Sequence, residues 1–177
     1  LYGRCGHSNP SDIGPPGTPK NERVALRGTL WRYHPLRKTT EVLSAGTVNP
    51  WGHDWDKYGE LFFVNTVIGH LWYEIPGAHF KRSSVEPNPK AYEQIDMIAD
   101  HWHFETSVGW MNSKDTPGAD ALGGGHADVG MMIYQGDNWP AEYRDGLYTL
   151  NLFGHRTNHE ILERSGSGYV GHHGADL

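Results

Sequence analysis

The sequence predicts an all-β fold, and three observations support this prediction. The 177 residues include 23 glycines and 11 prolines, a balance that favours turns over long helices. The motif Leu30-Trp31 recurs 41 residues later as Leu71-Trp72. Residues 61–67 are apolar on both faces, as expected of a strand between two neighbouring sheets. A repeat of about 40 residues has the length of one four-stranded blade, so we predict a partial β-propeller, with a β-sandwich as the alternative.

A dense set of turn and strand signals lies in the C-terminal third of the chain. Three glycines at 123–125 permit a positive φ or the close approach of another segment, and residues 129–134 have the apolar character of a buried strand. A turn is predicted at 136–138, and Pro140 begins a short helical turn. The strand predicted over 147–153 has two faces, formed by Tyr148, Leu150 and Leu152 and by Thr149 and Asn151.

Two long insertions interrupt the predicted strands. Residues 7–27 are rich in proline and glycine, and residues 78–124 form a second loop with one helical turn expected over 91–99. Neither segment has the character of an interdomain linker. We therefore predict that residues 1–177 form a single partial propeller domain with two insertion loops.

Composition argues against some classes of function. Lys and Arg number 15 against 21 Asp and Glu, and the net charge of −6 disfavours a general nucleic-acid or anionic-membrane surface. Cys5 is the single cysteine, so no disulfide can form within the chain. No apolar run approaches the roughly 20 residues of a transmembrane segment, and no signal peptide is recognisable. Because the first residues resemble the middle of a strand, we expect the chain to be a piece of a longer polypeptide.

The twelve histidines raise the hypothesis of a metal site. His101 and His103 would lie on the same side of a strand, and His126 and Asp128 have the same spacing. A metal site needs three or four convergent ligands, so a structural or surface role is the alternative for each pair. A metal-dependent hydrolase is the function that such a histidine cluster would indicate.

Other residues have simpler interpretations. Asp54 and Asp56 are predicted to form the turn before a strand rather than to hold a cation. His172 and His173 are expected to be exposed in a glycine-rich segment. For Trp51 and Trp110, stacking on a flat cofactor or a sugar is the alternative to a place in the core. The tryptophans expected to fill the space between blades are Trp31, Trp51, Trp72, Trp102, Trp110 and Trp139.

Five segments together resemble the glucose/sorbosone dehydrogenase superfamily of quinoproteins, and in particular its branch of membrane-bound dehydrogenase domains. The segments are LYGRCGHSNP (1–10), GTLWRYHP (28–35), NPWGHDWDKYGELFFVNTVIGHLWYEIPGAHFKR (49–82), GGGHADVGMMIYQGDNWPAEYRDGLYTLNLFGHRTN (123–158) and ILERSGSGYVG (161–171). They cover most of the chain and are specific as a set. The resemblance implies a six-bladed β-propeller, of which this fragment would supply about three blades.

The resemblance also implies a cofactor and a reaction. Members of the superfamily bind pyrroloquinoline quinone (PQQ) with calcium and oxidise a sugar hydroxyl by hydride transfer to the quinone. Asn49 corresponds to an asparagine of the quinone-binding strand, although Val48 replaces the arginine that precedes it. Arg156 corresponds to an arginine that pairs with a quinone carboxylate. His126 and Gln135 are further candidates for cofactor contacts on the same face.

Other implications of the resemblance concern calcium, catalysis and location. Alignment on residues 76–78 places Gly69 and His70 where the family has an acidic pair that helps to hold calcium, which prefers oxygen ligands. The family's general-base histidine corresponds to sequence before Leu1, so no catalytic residue and no metal ligand is assigned. The implied partners are a sugar or alcohol substrate and a cytochrome electron acceptor, in the periplasm or outside the cell. The alternative function is a non-catalytic propeller that binds a glycan or a protein.

Overall fold

The computed structural model describes residues 1–66, 69–81, 93–103, 118 and 120–177. Within these ranges the chain forms twelve β-strands and short 3₁₀ turns, and it contains no α-helix. The all-β prediction is therefore confirmed. In the same ranges, no helix is long and apolar enough to cross a membrane. The chain divides into two compact units: the first unit is Leu1–Pro50 with Glu74–Asp96, and the second unit is Trp51–Tyr73 with Met97–Leu177.

The first unit contains two antiparallel sheets. Strands β1, β4 and β5 form a three-stranded sheet with β4 in the centre, and β2 pairs with β3. The segment 7–27, predicted as a loop, therefore contains a small sheet as well as a 3₁₀ turn at Lys20–Glu22. The strands are β1 (Tyr2–Cys5), β2 (Ser11–Ile13), β3 (Val24–Leu26), β4 (Thr29–His34) and β5 (Thr39–Ser44).

The second unit contains two sheets in which strands adjacent in sequence are also adjacent in space. The sheets are β6-β7-β8 and β9-β10-β11-β12. Four antiparallel strands in this up-and-down order are what one propeller blade requires. The strands are β6 (Pro50–Trp55), β7 (Leu61–Asn65), β8 (Leu71–Tyr73), β9 (Asp128–Ile133), β10 (Leu147–Asn151), β11 (Arg156–Ser165) and β12 (Gly168–His173).

The core of the second unit is built around β7. All five residues of this strand are buried, which confirms that its residues are covered on both faces. Phe62 and Val64 pack with Leu71 of β8, and the same cluster includes Ile133 of β9 and Leu147 of β10. Each fully buried side chain of this size contributes about 1.5–3 kcal/mol to folding.

The turn residues were predicted correctly at two places in the second unit. Asp56 closes the turn before β7, because its Oδ1 accepts the N–H groups of Tyr58 and Glu60, each at 2.9 Å. Asp54, predicted to share this turn, instead lies within β6. Pro140 precedes a 3₁₀ turn at Ala141–Tyr143, as its fixed φ favours.

The prediction of a helical turn over 91–99 is wrong for residues 93–99, the part of this range that the structure describes. Ile95 and Ala99 each form an isolated parallel bridge instead. The N–H of Ile98 donates to the carbonyl of Leu71 at 3.0 Å, and the N–H of Gly171 donates to the carbonyl of Ile98 at 2.9 Å. Residues 97–103 thus attach to β8 and β12 through backbone hydrogen bonds, which an extended chain can form and a helical turn cannot.

The C-terminal end of strand β10 buries polar side chains and exposes leucines, the opposite of what an alternating strand usually does. Leu150 and Leu152 are more than half exposed, whereas Thr149 and Asn151 are buried. The Thr149 hydroxyl donates to a backbone carbonyl at 2.7 Å, and the Asn151 amide oxygen accepts the N–H of His126 at 3.0 Å. Because these polar groups have hydrogen-bond partners, their burial leaves no polar atom of the two side chains without a hydrogen bond.

The tryptophans do not all fill the core as expected. Trp72 is buried, but Trp51, Trp102 and Trp139 are exposed at 59%, 48% and 40%. Trp31 is half-buried, and Trp110 lies outside the described residues. Trp139 belongs to a surface aromatic group, in which rings pack on one another rather than between blades.

Candidate metal centre and predicted cofactor contacts

Four buried side chains of the second unit converge on one point: His70, His101, His103 and Glu160. Their exposed fractions lie between 0% and 5%. The Glu160 Oε1 atom is 3.1 Å from Nε2 of His103, 3.3 Å from Nε2 of His101 and 3.4 Å from Nε2 of His70. The Nε2 atoms of His101 and His103 are 3.2 Å apart. One atom from each of the four side chains therefore lies within 4.8 Å of the others.

Three separate segments supply these side chains. His70 directly precedes β8, and its carbonyl accepts the N–H of Asn65 at 2.9 Å across the β7–β8 connection. Glu160 is on the buried face of β11. His101 and His103 belong to the segment 97–103, and residues two apart in an extended chain point to the same side. The backbone pairing of this segment with β8 and β12 brings both rings to the carboxylate.

Outer carboxylates orient two of the imidazoles. Nδ1 of His101 lies 2.9 Å from Oδ1 of Asp100, and Nδ1 of His103 lies 3.4 Å from both carboxylate oxygens of Asp128. A carboxylate behind each ring places a proton on Nδ1 and leaves the Nε2 lone pair of the neutral imidazole directed at the centre. The ring of His70 stacks on that of His103, with centroids 3.7 Å apart.

The charges in this cluster depend on one another. Burial alone would raise the pKa of Glu160, but the adjacent imidazoles of His101, His103 and His70 hold it well below its usual value. Burial also disfavours a charged His103, yet Asp128 and Glu160 raise its pKa to about 10. The pKa of His70 is lowered by burial and by the neighbouring His103. A buried carboxylate needs a compensating positive charge, which either a proton on His103 or a bound cation provides.

The donor set selects among cations. Imidazole nitrogens suit zinc, copper, iron and nickel, and a single carboxylate is compatible with all of them. Calcium prefers six to eight oxygen ligands. His70, where the resemblance predicted the loss of a calcium carboxylate, contributes an imidazole nitrogen to the cluster. The cluster therefore does not fit calcium.

The structure places His126 and Arg156, two of the predicted cofactor contacts, at the same end of the β9–β12 sheet. Asn151 at the end of β10 pairs with Asp128 of β9 and with Arg156 of β11, and His126 precedes Asp128 by two residues. The Arg156 guanidinium lies 3.1 Å from the carboxylate of Asp176. Burial lowers the pKa of His126, although the Asp128 carboxylate opposes this.

The other two predicted contacts are Gln135 and Asn49. Gln135 follows the opposite end of β9, is exposed, and donates its amide N–H to the carbonyl of Trp55 at 2.8 Å. Asn49 belongs to the first unit, where it is half-buried directly before β6. The structure thus separates Gln135 from His126 and Arg156. A cofactor contact at these four positions stays a prediction.

The glycine run before His126 makes the close approaches that its sequence predicts. A Cβ at Gly123, where φ is +71°, would lie 2.1 Å from the Asn158 amide nitrogen. A Cβ at Gly125 would lie 2.2 Å from the amide oxygen of Asn151. The N–H of Gly125 donates to the carbonyl of His103 at 2.7 Å. The glycines therefore bring the loop that carries His126 directly against the histidine cluster.

Part of the cluster was visible in the sequence and part was not. The spacing of His101 and His103 was the one local signal of shared ligation. His70 entered only through alignment, and Glu160 was missed because it lies 57 residues beyond His103 and carries no motif. The expectation that His172 and His173 are exposed is wrong for His173, whose side chain is 12% exposed beside the cluster. The segment 97–103 forms backbone hydrogen bonds with its strand, β12.

Comparison with known proteins gives a family and a fold. The family model "Domain of unknown function (DUF7133)" matches residues 1–176. No curated protein matches the chain. Among solved structures, the chain is similar to a protein of Thermus thermophilus provisionally described as an oxidoreductase (glucose dehydrogenase), with a TM-score of 0.51 and 19% identity over 82% of this chain and 40% of that chain. It also matches the PQQ-bound form of an aldose sugar dehydrogenase from Streptomyces coelicolor, with a TM-score of 0.49 and 15% identity over 95% of this chain and 44% of that chain.

These similarities bear on the fold and not on the activity, because the identities are low. The chain spans less than half the length of the structures it matches. Three described sheets of three or four antiparallel strands agree with about three blades, and the predicted partial β-propeller is confirmed. The chain belongs to the family of the domain of unknown function DUF7133.

Proposed function

We propose that this chain is part of an oxidoreductase that oxidises a hydroxyl group of a sugar or an alcohol, with PQQ as its cofactor. The support is the resemblance of five segments to the glucose/sorbosone dehydrogenase superfamily, together with the dehydrogenase-like fold. The similar Thermus thermophilus protein is described as a glucose dehydrogenase, so aldoses are the first substrates to test. A periplasmic or extracellular location and a cytochrome electron acceptor belong to the same proposal.

The predicted contacts fit PQQ only in part. A guanidinium is well suited to pair with a quinone carboxylate, but Arg156 already lies 3.1 Å from Asp176, which would have to give way. Gln135 lies at the far end of β9 from His126. The position aligned with the family's calcium ligands is His70, a nitrogen donor. We therefore assign His126, Arg156 and Asn49 at most a binding role and derive no catalytic step from them.

The proposal is tested with the full-length protein, PQQ and calcium. We expect calorimetry to show quinone binding and a redox dye to be reduced when aldoses are added. Arg156→Lys should weaken PQQ binding because lysine loses the two-pronged geometry of the guanidinium. Arg144→Lys is the matched control, since Arg144 is exposed and donates to the carbonyl of Gly136 at 3.0 Å. Absence of binding, under conditions where a quinoprotein of this superfamily binds PQQ, would refute the proposal.

A second candidate is a non-catalytic propeller that binds a glycan. The observation in its favour is Trp51, whose side chain is 59% exposed on β6, because exposed indole rings are common platforms for apolar sugar faces. This candidate predicts glycan capture without any quinone. Trp51→Ala should abolish capture, and Trp102→Ala, at a ring that is also about half exposed, should not. Capture that survives Trp51→Ala contradicts it.

A further inference from the structure

We propose that His70, His101, His103 and Glu160 bind one divalent transition-metal ion of the zinc class, and that this ion has a structural role. The site lies within the second unit, and none of its ligands is among the residues predicted to contact PQQ. The inference therefore goes beyond the proposed oxidation of a sugar or an alcohol, and either can fail without the other.

Four of the six distances between the donor atoms are those of a tetrahedral site. With metal–ligand bonds of about 2.0–2.1 Å, neighbouring ligand atoms of a tetrahedron are about 3.3 Å apart. Three edges that meet at Glu160 Oε1 measure 3.1, 3.3 and 3.4 Å, and the edge between His101 and His103 measures 3.2 Å. The remaining two edges, from His70, are no longer than 4.8 Å. Ligation therefore requires only small movements of the four side chains.

Hydrogen bonds alone do not satisfy this cluster. Nδ1 of His70 has no hydrogen-bond partner among the described residues, although the side chain is only 4% exposed, and its Nε2 lies 3.4 Å from Glu160 Oε1 without forming a hydrogen bond of good geometry. The Oε2 atom of the fully buried Glu160 also has none among them. A buried polar group without a partner is costly, and several lone pairs directed at one point repel one another. A cation at that point would bond to Nε2 of His70 and would remove the repulsion between the converging lone pairs.

The outer carboxylates have the arrangement that metal-binding histidines usually show. Asp100 lies behind His101, and Asp128 lies behind His103, each facing Nδ1 while Nε2 faces the centre. Such second partners fix the ring orientation and raise the basicity of the ligating nitrogen. Asp128 is itself buried, so its place behind His103 is a feature of the interior and not of the surface.

The role of the ion follows from the closure of the site. Four protein ligands complete a tetrahedron, and all four side chains are buried, as in structural zinc sites; a catalytic site keeps one position open. The ligands come from the β7–β8 connection, the segment 97–103 and β11. An ion would therefore fix this segment to the sheets, and because the ligands converge only in the folded state, it would stabilise that state.

Metal analysis of the purified full chain tests the proposal directly. We expect about one zinc-class ion per chain, its removal by a chelator, and a higher melting temperature when Zn²⁺ is restored. Co²⁺ added to the stripped protein should give the visible absorption bands of tetrahedral cobalt. Glu160→Gln removes the ligand charge and should abolish stoichiometric binding. Asp128→Asn keeps all four ligands and should lower the affinity about 10–100-fold.

His159→Gln is the matched control. His159 neighbours Glu160 in β11 but stacks on Tyr148, with centroids 4.7 Å apart, and this variant should bind Zn²⁺ as the wild type does. Folded protein that binds neither Zn²⁺ nor Co²⁺ overturns the proposal. So does an affinity that Asp128→Asn leaves unchanged, or one that His159→Gln lowers as strongly as Asp128→Asn. Because Asp128→Asn retains every ligand, misfolding of the Glu160 variant does not remove the test.

Discussion

The stability of the first unit is predicted to fall as the pH rises to neutrality, and Glu74→Gln is predicted to remove this dependence. Glu74 is 4% exposed. Burial raises the pKa of its carboxyl group from 4.5 to about 7, against the opposing effect of the Ser44 hydroxyl, which donates to Oε2 at 2.8 Å. The other oxygen, Oε1, has no hydrogen-bond partner among the described residues.

The sign and size of the effect follow from the two pKa values. The folded state holds this proton more tightly than the unfolded state, so the contribution to stability is complete below pH 4.5 and is lost as the pH rises through about 7. A tenfold difference in proton affinity corresponds to about 1.4 kcal/mol, which gives between about 3 and about 4 kcal/mol for the full change. Glutamine does not ionise, so the advantage of Glu74→Gln over wild type should grow from near zero at pH 4 to about 3 kcal/mol at pH 8.

Hydrogen exchange of the β4 and β5 amides reports the opening of the first unit and measures this advantage between pH 4 and pH 8. Glu22→Gln is the control, because Glu22 is an exposed carboxylate of the same unit. Its difference from wild type should stay constant with pH. If the opening free energies of wild type and Glu74→Gln run parallel across this range, the burial of a neutral carboxyl group is refuted.

Three further changes probe the second unit, and urea unfolding measures each. Leu71→Ala removes a fully buried side chain and should lower the free energy of unfolding by about 2–5 kcal/mol, whereas Leu150→Ala at an exposed position should change it by less than about 0.5 kcal/mol. Gly123→Ala places a Cβ against an asparagine amide at a backbone φ of +71°, whereas Gly130→Ala has a similar φ of +65° but its Cβ meets open space. Gly130→Ala should lower the free energy of unfolding by about 1 kcal/mol, and Gly123→Ala should lower it by clearly more. Equal losses of stability in the two variants would contradict the clash. Asn151→Ala removes an acceptor for two backbone N–H groups, at 3.0 and 2.8 Å, and should cost about 2–4 kcal/mol; a loss below about 1 kcal/mol would show that water replaces the amide.

Local sequence signals predicted local structure well in this chain. The apolar run of β7 became a fully buried strand, since a strand that is apolar on both faces must be covered on both. Pro140 and Asp56 mark turns for reasons contained in their own chemistry, a fixed φ and a carboxylate that accepts nearby N–H groups. These features depend on neighbours within about five residues, so the sequence contains what is needed to predict them.

The candidate metal centre could not be predicted in the same way. His101 and His103 have a recognisable spacing, but the convergence of His70 and Glu160 on them is created by the packing of β8, β11 and the segment 97–103. The tryptophans show a related limit. Trp51 and Trp72 are the same residue type in strands of one sheet, and only the packing of the sheets decides that one is exposed and the other buried.

The burial of polar side chains at the end of strand β10 has a consequence for sequence variation. Because Thr149 and Asn151 serve backbone groups in the interior, their replacement by apolar residues removes hydrogen bonds that no apolar side chain can restore. Leu150 and Leu152 face outward, so polar residues there cost the folded chain little. Among relatives of this chain, Thr149 and Asn151 should therefore stay fixed while Leu150 and Leu152 vary, which is the reverse of the usual pattern for a half-buried strand.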